Sequence, residues 1–473
     1  MKTKTIFALL IGTFITQCAF AQGYKLISPK IQVQKKIDSN TLPQRLESYQ
    51  TIEFVNIDVS QITQQENFLL EYDNKTLSMN RKNIKVRGED DFCFWGYNDE
   101  GYSLFLSIIG NDIQGVIEGP KGNFSIETIG EKSYALVKFD PSKMPNDCAT
   151  IDDDNSKANL DDESSFPHAP TLLSLQNRCK IRVLVLYTPK AQSMVSNIKN
   201  TILKAVELSN ESFTNSNIQQ SIELVYIGKT NYAENEFHED LKNFKSTNDG
   251  IMDEVHTLRN LYSADVCVLL IYDPALCGLA AGIGVEANNA FCVVSVAGGC
   301  ATTNYSFVHE IGHLLGCRHD IAMDDTKTPF TYGHGYIAPS KEWRTIMAYR
   351  NDCGTCPRLN YWSNPDVLYN GVPMGTSSLQ NNARVWNEQS NKVINFRQVS
   401  SSVTLNKEGF TNTQYADIVA KKEIILSGDI NVSSTCTLNV KAGENVSIQE
   451  GFNIEEGATL DISIEEIPDC SNN

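Results

Sequence analysis

Residues 309–320 read HEIGHLLGCRHD, and this stretch contains three of the seven histidines of the chain. His309 and His313 are four positions apart, which on an α-helix places both side chains on one face, about 40° apart around the axis. Two imidazoles placed in this way can bind one metal ion. Glu310 lies about 100° around the helix from His309. We therefore expect Glu310 to hold a water molecule beside the metal and not to bind the metal itself.

The third histidine, His319, requires the helix to end. On a continuous helix it would lie about 15 Å further along the axis than His309, whereas two ligands of one zinc ion are at most about 4.2 Å apart. Gly316 supplies the break, because glycine accepts the left-handed conformation found at helix ends. Three histidines leave an open coordination position, which is typical of a catalytic zinc site. The sequence thus predicts a hydrolase in which Glu310 takes a proton from the attacking water.

The spacing H-E-x-x-H-x-x-G-x-x-H resembles the extended motif of the metzincin zinc endopeptidases. Asp320, after the third histidine, is similar to the reprolysin (adamalysin-like) branch of that clan. The resemblance covers about residues 179–396 and implies an α/β catalytic domain. Its expected parts are a twisted, mostly parallel sheet with an edge strand, an active-site helix and a methionine turn. The resemblance also implies protein or peptide substrates.

The methionine turn of this clan lies beneath the zinc ion, and Met347 in the segment TIMAY matches it. Met347-Ala348-Tyr349 has the M-x-Y form of the astacin and serralysin branches, whereas typical reprolysins often have a proline there. Tyr349 is therefore a candidate fifth zinc ligand or oxyanion donor; the alternative is a tyrosine packed under the site. The segment NAFCVVSV, residues 289–296, is the expected edge strand that pairs with an extended substrate.

The chain between residues 176 and 398 alternates apolar strands with helical patterns, which indicates an α/β unit with a mostly parallel sheet. We assign this range to the catalytic domain. Apolar residues at helical spacing predict one helix over 190–213, a second over 240–262 and a last one over 378–396. Residues 399–473 contain short strands at near-regular spacing, with a weak internal repeat, and are expected to form a small all-β module.

The N-terminus predicts export. A basic start, an apolar stretch and the small-residue motif Ala19-Phe20-Ala21 indicate a signal peptide over residues 1–21 and therefore a secreted protein. A lipoprotein with an acylated Cys18 is a weaker alternative, because Gln17 is bulky where a small residue is preferred. Residues 22–150 read as a β-rich propeptide. Residues 151–175 are rich in acids and read as a linker.

A secreted protease needs restraint, and the propeptide is expected to act as an intramolecular inhibitor. Cys148 lies near its end, where a thiolate can occupy the open position of the zinc ion, as in the cysteine switch of related zymogens. Two alternatives remain: Cys148 forms a disulfide with Cys93, or Asp147 or a linker acid binds the metal.

Thirteen cysteines in an exported chain predict disulfides, although sequence does not determine their pairing. Cys317 with Cys353 is the favoured candidate because both flank the histidine motif. Weaker candidates are Cys277 with Cys300 and Cys436 with Cys470.

Composition bounds the function further. The 473 residues suggest about three folded units, and the net charge of −17 excludes a typical nucleic-acid-binding protein. No apolar run beyond the N-terminus is long enough to span a bilayer. Ca²⁺ use has no signal in the sequence. The favoured interpretation is a secreted zymogen of a zinc endopeptidase.

Two alternative functions are each opposed by a single residue of the motif. A secreted adhesin or binding protein with a structural zinc site has no use for a base at Glu310. A thermolysin-like protease takes a glutamate as third ligand, the place that His319 already fills.

Overall fold

The computed structural model describes residues 23–30, 49–88, 90–120, 122–140, 143–150 and 179–470. The predicted signal peptide, 1–21, and the predicted acidic linker, 151–175, lie outside these ranges. Within them, no helix has the length and apolar character that crossing a membrane would require.

The N-terminal region folds into a closed nine-stranded barrel. Its strands are β1 Lys25–Pro29, β2 Tyr49–Ile57, β3 Asn67–Tyr72, β4 Lys75–Val86, β5 Asp91–Tyr97, β6 Ser103–Ile109, β7 Asp112–Glu118, β8 Phe124–Gly130 and β9 Ser133–Phe139. Neighbours pair antiparallel, except that β1 and β3 close the barrel as a parallel pair. Inward-facing apolar side chains such as Leu70, Phe94 and Leu106 are completely buried. Closure leaves no unpaired sheet edge.

The central sheet of the next unit is mostly parallel in its core. Its strands are β10 Ala149–Thr150, β11 Ile181–Tyr187, β12 Ile222–Lys229, β13 Val266–Ile271, β14 Gly278–Ala280 and β15 Phe291–Ser295. Strands β12, β11, β13 and β15 lie side by side in parallel, and β14 pairs antiparallel with β15. Every residue of β11, β13 and β15 is buried, as expected for a parallel sheet covered on both faces.

Six helices flank this sheet: α1 Pro189–Ser193, α2 Ile198–Asn215, α3 Phe237–Lys245, α4 Glu254–Leu261, α5 Ser306–Leu315 and α6 Asn382–Val393. Two of the predicted helices are interrupted. Asn197 starts a new helix by accepting a hydrogen bond from the Asn200 amide. Between α3 and α4 the chain turns through Asn248 and Gly250, both with positive φ, and the carboxylate of Asp253 accepts their backbone N–H groups. Local side-chain bonds therefore override the helical spacing.

The C-terminal strands stack as a parallel solenoid. A hairpin of β16 Asn364–Tyr369 and β17 Val372–Met374 precedes it, followed by β18 Ser402–Leu405, α7 Lys407–Phe410, β19 Thr413–Ala420, β20 Glu423–Leu426, β21 Asn431–Val432, β22 Thr437–Ala442, β23 Asn445–Ile448, β24 Asn453–Ile454 and β25 Thr459–Ile464. Ser402 lies beside Glu423, which lies beside Asn445. The coils therefore repeat every 21 or 22 residues.

The small all-β module expected over residues 399–473 continues the central sheet. Strand β19 pairs antiparallel with β12, so that β19, β22 and β25 extend the central sheet to nine strands. Leu269 of β13 shares one apolar cluster with Ile418 and Leu438 of the solenoid. The solenoid thus covers the edge of β12, an apolar strand whose hydrogen-bonding groups would otherwise be unpaired on that side.

The favoured disulfide prediction, Cys317 with Cys353, was wrong. Cys317 is a free, buried thiol in the apolar cluster behind α5, and Cys353 pairs within its own loop with Cys356. The weaker candidate Cys277–Cys300 does form.

Cys436 is free and buried in the solenoid. Cys470 pairs with Cys179 across 291 residues, which ties the start of the central sheet to the last coil. These partners meet only in the folded chain, so sequence spacing does not reveal them.

Candidate metal centre

Helix α5 carries the first half of the motif and ends where the spacing requires. Gly316 has φ 115° and follows the last helical residue. A Cβ at this position would lie 2.7 Å from the ring of Phe330, so that both conformation and space favour glycine. The chain then turns back and places His319 beside His309 and His313, with ring centroids 5.3 Å and 4.6 Å away.

Four candidate ligand atoms converge at this turn. The Nε2 atoms of His313 and His319 are 3.0 Å apart. The Sγ atom of Cys148 lies 3.1 Å, 3.5 Å and 3.0 Å from the Nε2 atoms of His309, His313 and His319. All four ligand atoms lie within 4.8 Å of one another and all four residues are buried. Three imidazoles and one thiol are donors that suit Zn²⁺, so the residues present fit such an ion.

The imidazoles are held with their Nε2 atoms facing the centre. The Nδ1 atom of His309 lies 2.9 Å from the carbonyl oxygen of Ile346, and that of His313 lies 2.8 Å from the carbonyl oxygen of Cys317. A carbonyl oxygen accepts, so Nδ1 donates and the lone pair is on Nε2. Burial lowers the pKa of all three histidines, that of His313 to about 4. Neutral rings are the form that binds metals.

Glu310 lies between the histidines and the sheet. Its side chain is buried, and neither carboxylate oxygen makes a hydrogen bond of ordinary geometry with the described residues. Burial raises the pKa of Glu310 well above its usual value, and Arg358, the Cys148 thiol and the Ala280 amide only partly offset this. A Cβ at Gly278 would lie 2.3 Å from Oε1 of Glu310, so a glycine is required where strand β14 passes the carboxylate.

The Met347 segment packs against the helix that carries His309 and His313. Met347 is completely buried in the apolar cluster that contains Ile311 of α5. Asp320 Oδ2 accepts the backbone N–H of Tyr349 at 2.8 Å and thereby connects the histidine motif to this turn. The ring of Tyr349 packs on His319, with centroids 4.1 Å apart, and its hydroxyl donates to the carbonyl oxygen of Cys148.

The edge strand beside the site differs from the expected one. Residues 289–296 contain β15, which is an interior strand between β13 and β14. The strand that faces the site is β14, Gly278–Ala280, and it pairs in parallel with β10, Ala149–Thr150. At three residues, β14 is too short to show any alternation of apolar and polar side chains. The sequence pattern therefore pointed to the longer neighbour, β15.

The segment that carries Cys148 is anchored by its neighbour, Asp147. Arg344 Nη1 and Arg358 Nη2 approach the carboxylate at 3.5 Å and 3.2 Å, and the Arg350 backbone N–H and Asn304 Nδ2 lie 3.2 Å and 3.4 Å away. Although burial acts in the opposite direction, the guanidiniums hold the pKa of Asp147 well below its usual range. Neither arginine is identifiable from the sequence, because both lie far from the histidine motif and follow no characteristic spacing.

Two alternatives for Cys148 are wrong. Cys93 is buried in the barrel beside Arg87 and forms no disulfide. Asp147 does not belong to the cluster of candidate ligands, since its carboxylate points to the arginines, and the alternative of a linker acid lies outside the described residues.

The barrel contacts the same unit directly. Ser107 and Gly115 of the barrel bond to Asn200 and Lys204 of α2, at 2.6 Å and 2.9 Å. Burial lowers the pKa of Lys204 to about 8. Buried polar contacts of this kind are typical of interfaces between domains that resemble transient protein–protein interfaces.

Residues 177–363 match the model of metallo-peptidase family M12. A peptidyl-Asp metalloendopeptidase of Stenotrophomonas maltophilia strain K279a is 43% identical over 295 residues, which are 61% of this chain and 69% of that protein. Its counterpart in Xanthomonas campestris is 41% identical over 285 residues, or 60% and 67% of the two chains. One from Pseudomonas fragi is 41% identical over 167 residues, or 35% and 88%. The resemblance to the reprolysin branch is thus confirmed, and the chain belongs to metallopeptidase family M12 and is a metalloendopeptidase.

Proposed function

We propose that the chain is a secreted zinc endopeptidase, synthesised as a latent zymogen, that hydrolyses peptide bonds next to aspartate in proteins. The observation that supports it most is the convergence of three Nε2 atoms beside a buried carboxylate that makes no hydrogen bond of ordinary geometry with the described residues. His309, His313 and His319 are the proposed zinc ligands, and Glu310 is the proposed catalytic residue. The preference for aspartate is taken from the names of the relatives.

The roles of the chain's own groups follow from their positions. Bound zinc supplies a Lewis acid that polarises a carbonyl group and lowers the pKa of water to about 7. Glu310 accepts a proton from the attacking water and passes it to the amine of the leaving fragment. Strand β14 pairs with the extended substrate in place of β10. The buried surroundings of Glu310 exclude bulk water and strengthen these interactions.

Tyr349 is proposed to donate a hydrogen bond to the substrate carbonyl. Its hydroxyl already donates to a peptide carbonyl in the site, that of Cys148, which favours this role over that of a fifth ligand. Burial raises the pKa of Tyr349 well above its usual value, so the hydroxyl keeps its proton.

Replacing Tyr349 with phenylalanine should therefore lower kcat by about 10²-fold, because one oxyanion donor is lost, with KM changed little. The measurement is steady-state cleavage of a fluorogenic peptide. Tyr369→Phe, at a partly buried tyrosine of the β16–β17 hairpin that packs on Trp343, is the control. An unchanged kcat would leave Tyr349 with a packing role against His319.

The N-terminal region is proposed to hold the site closed. Residues 22–150 act as the propeptide and Cys148 as the fourth ligand, supported by the contacts of Sγ to all three imidazoles. Residues 151–175 are the proposed maturation linker, 176–398 the catalytic domain and 399–473 a stabilising module. Residues 1–21 are the proposed signal peptide, in agreement with three disulfides among the described residues.

The proposal is tested by metal removal. The full chain, activated by limited proteolysis in the linker, is incubated with a mixed peptide library and the products are identified by mass spectrometry. We expect cuts next to aspartate, loss of nearly all activity in chelator, and recovery with Zn²⁺, because a chelator competes with the three imidazoles for the metal and added Zn²⁺ refills the site. Cleavage that persists in the metal-free chain would contradict the proposal.

A further inference from the structure

A buried carboxylate receptor lies one residue away from the metal centre. Arg344 and Arg358, here called the arginine pair, approach the carboxylate of Asp147 at 3.5 Å and 3.2 Å. All three side chains are at most 5% exposed. The backbone N–H of Arg350 adds a third donor at 3.2 Å. Two guanidiniums and an amide around one carboxylate form a receptor with high selectivity for charge and shape.

The arginine pair is held by the catalytic unit and not by the proposed propeptide, residues 22–150, which is here called the leader. The backbones of its two members are paired, because Arg344 N–H donates to the Pro357 carbonyl and Leu359 N–H donates to the Arg344 carbonyl, at 3.0 Å and 2.9 Å. Both guanidiniums also donate to the carbonyl oxygen of Ala348. Ala348 belongs to the methionine turn beneath the histidines, so the pair and the metal centre share one support.

The pair needs an anion. The Nε atoms of both arginines are buried without a hydrogen-bond partner among the described residues. Burial, together with the neighbouring Arg358, lowers the pKa of Arg344 to about 9. In the latent chain the compensating charge comes from Asp147, which lies in the leader. Removal of the leader therefore takes away the one carboxylate among the described residues that contacts both guanidiniums, which is unfavourable unless another carboxylate replaces Asp147.

We infer that the arginine pair binds the aspartate side chain of the substrate and that Asp147 occupies this site in the latent chain. The inference rests on the proposed function, for which it names the residues that determine specificity. Because Asp147 and Cys148 are adjacent, a substrate aspartate in the same place brings a neighbouring peptide bond to the metal centre.

The site favours aspartate over glutamate. The backbone N–H of Arg350 donates to Oδ2 of Asp147 from the chain beside the bound segment. This donor therefore suits a carboxylate that lies close to the main chain of the bound segment. Glutamate is one methylene longer and would move its carboxylate away from this donor.

The site also becomes accessible when the leader departs. A cavity of about 310 Å³ is lined by both arginines and also by the leader residues Asn123, Lys138 and Phe139.

The test compares two peptides that differ only by aspartate or asparagine at one position. With the zinc-loaded full chain activated by limited proteolysis, we expect kcat/KM to be about 100-fold or more higher for the aspartate peptide, since a site built for a charged group rejects its uncharged analogue. Arg358→Gln and Arg344→Gln should each reduce this ratio to about 10-fold or less, because the charge that distinguishes aspartate from asparagine is lost. Arg384→Gln is the matched control, because that guanidinium lies on α6 and pairs with Glu388.

A second measurement keeps the inference testable if the arginine variants fail to fold. Peptides of residues 143–150 with Cys148→Ser, with and without Asp147→Asn, compete for the activated wild-type chain. We expect the Asp147→Asn peptide to inhibit at least about 10-fold more weakly, because a charge-assisted contact is lost. Equal inhibition, or equal cleavage of the two substrate peptides by the wild-type chain, would overturn the inference while leaving the peptidase activity in place. Absence of cleavage of any peptide would instead reject the proposed function.

Discussion

Replacing Glu310 with glutamine is expected to lower kcat by about three orders of magnitude, because the site loses the group that accepts and returns a proton. Glutamine has nearly the same volume as glutamate, so it fits against Gly278, where the side chain is tightly enclosed. Glutamine also carries no charge into a buried position, so the fold should be retained. The measurements are kcat for a fluorogenic aspartate peptide and the zinc content of the purified chain.

Zinc should still bind to the Glu310→Gln variant at one ion per chain, since the three imidazoles and their carbonyl partners are unchanged. Glu239→Gln, on the exposed face of α3, is the matched control and should behave as the wild type. An unchanged kcat in a correctly folded, zinc-loaded Glu310→Gln variant would falsify the role of Glu310 as base. It would also revive the alternative of a binding protein with a structural zinc site, because such a protein needs no base beside the metal.

The part of the site that could be predicted from sequence is the part encoded locally. His309, Glu310 and His313 lie on one helix, so their relative placement follows from helical geometry alone. His319 joins them through a turn that Gly316 indicates in the sequence. The burial of β11 and β13 was likewise visible as uninterrupted apolar runs. In each case the deciding residues are near one another in the chain.

The parts that were missed depend on distant partners. The arginine pair is 14 residues apart in sequence and meets Asp147 only because the leader folds back over the site. The disulfide between Cys179 and Cys470 forms because β19, β22 and β25 continue the sheet that begins at β11. The three residues of β14 form a strand only by pairing with β15 and β10. Such placements are set by tertiary packing, which a single sequence does not display.

Replacing Cys148 with serine is expected to release the full chain from latency. A hydroxyl is a much weaker ligand for zinc than a thiolate, so the leader should leave the site more often. If the thiolate contributes about 3 kcal/mol to closure, activity of the unprocessed chain rises about 100-fold. The assay is cleavage of the aspartate peptide by intact, uncut chain, with the length of the chain checked by mass spectrometry before and after.

Cys93→Ser is the matched control, because Cys93 is also a free, buried thiol of the leader but contacts Arg87 in the barrel. It should leave latency intact. The double variant Asp147→Asn with Cys148→Ser separates the two anchors of the segment. It should be more active than Cys148→Ser alone, since the arginine pair then loses its carboxylate as well. If Cys148→Ser remains as silent as the wild type while the double variant is active, the arginine pair and not the thiol restrains the enzyme, and the cysteine-switch proposal is wrong.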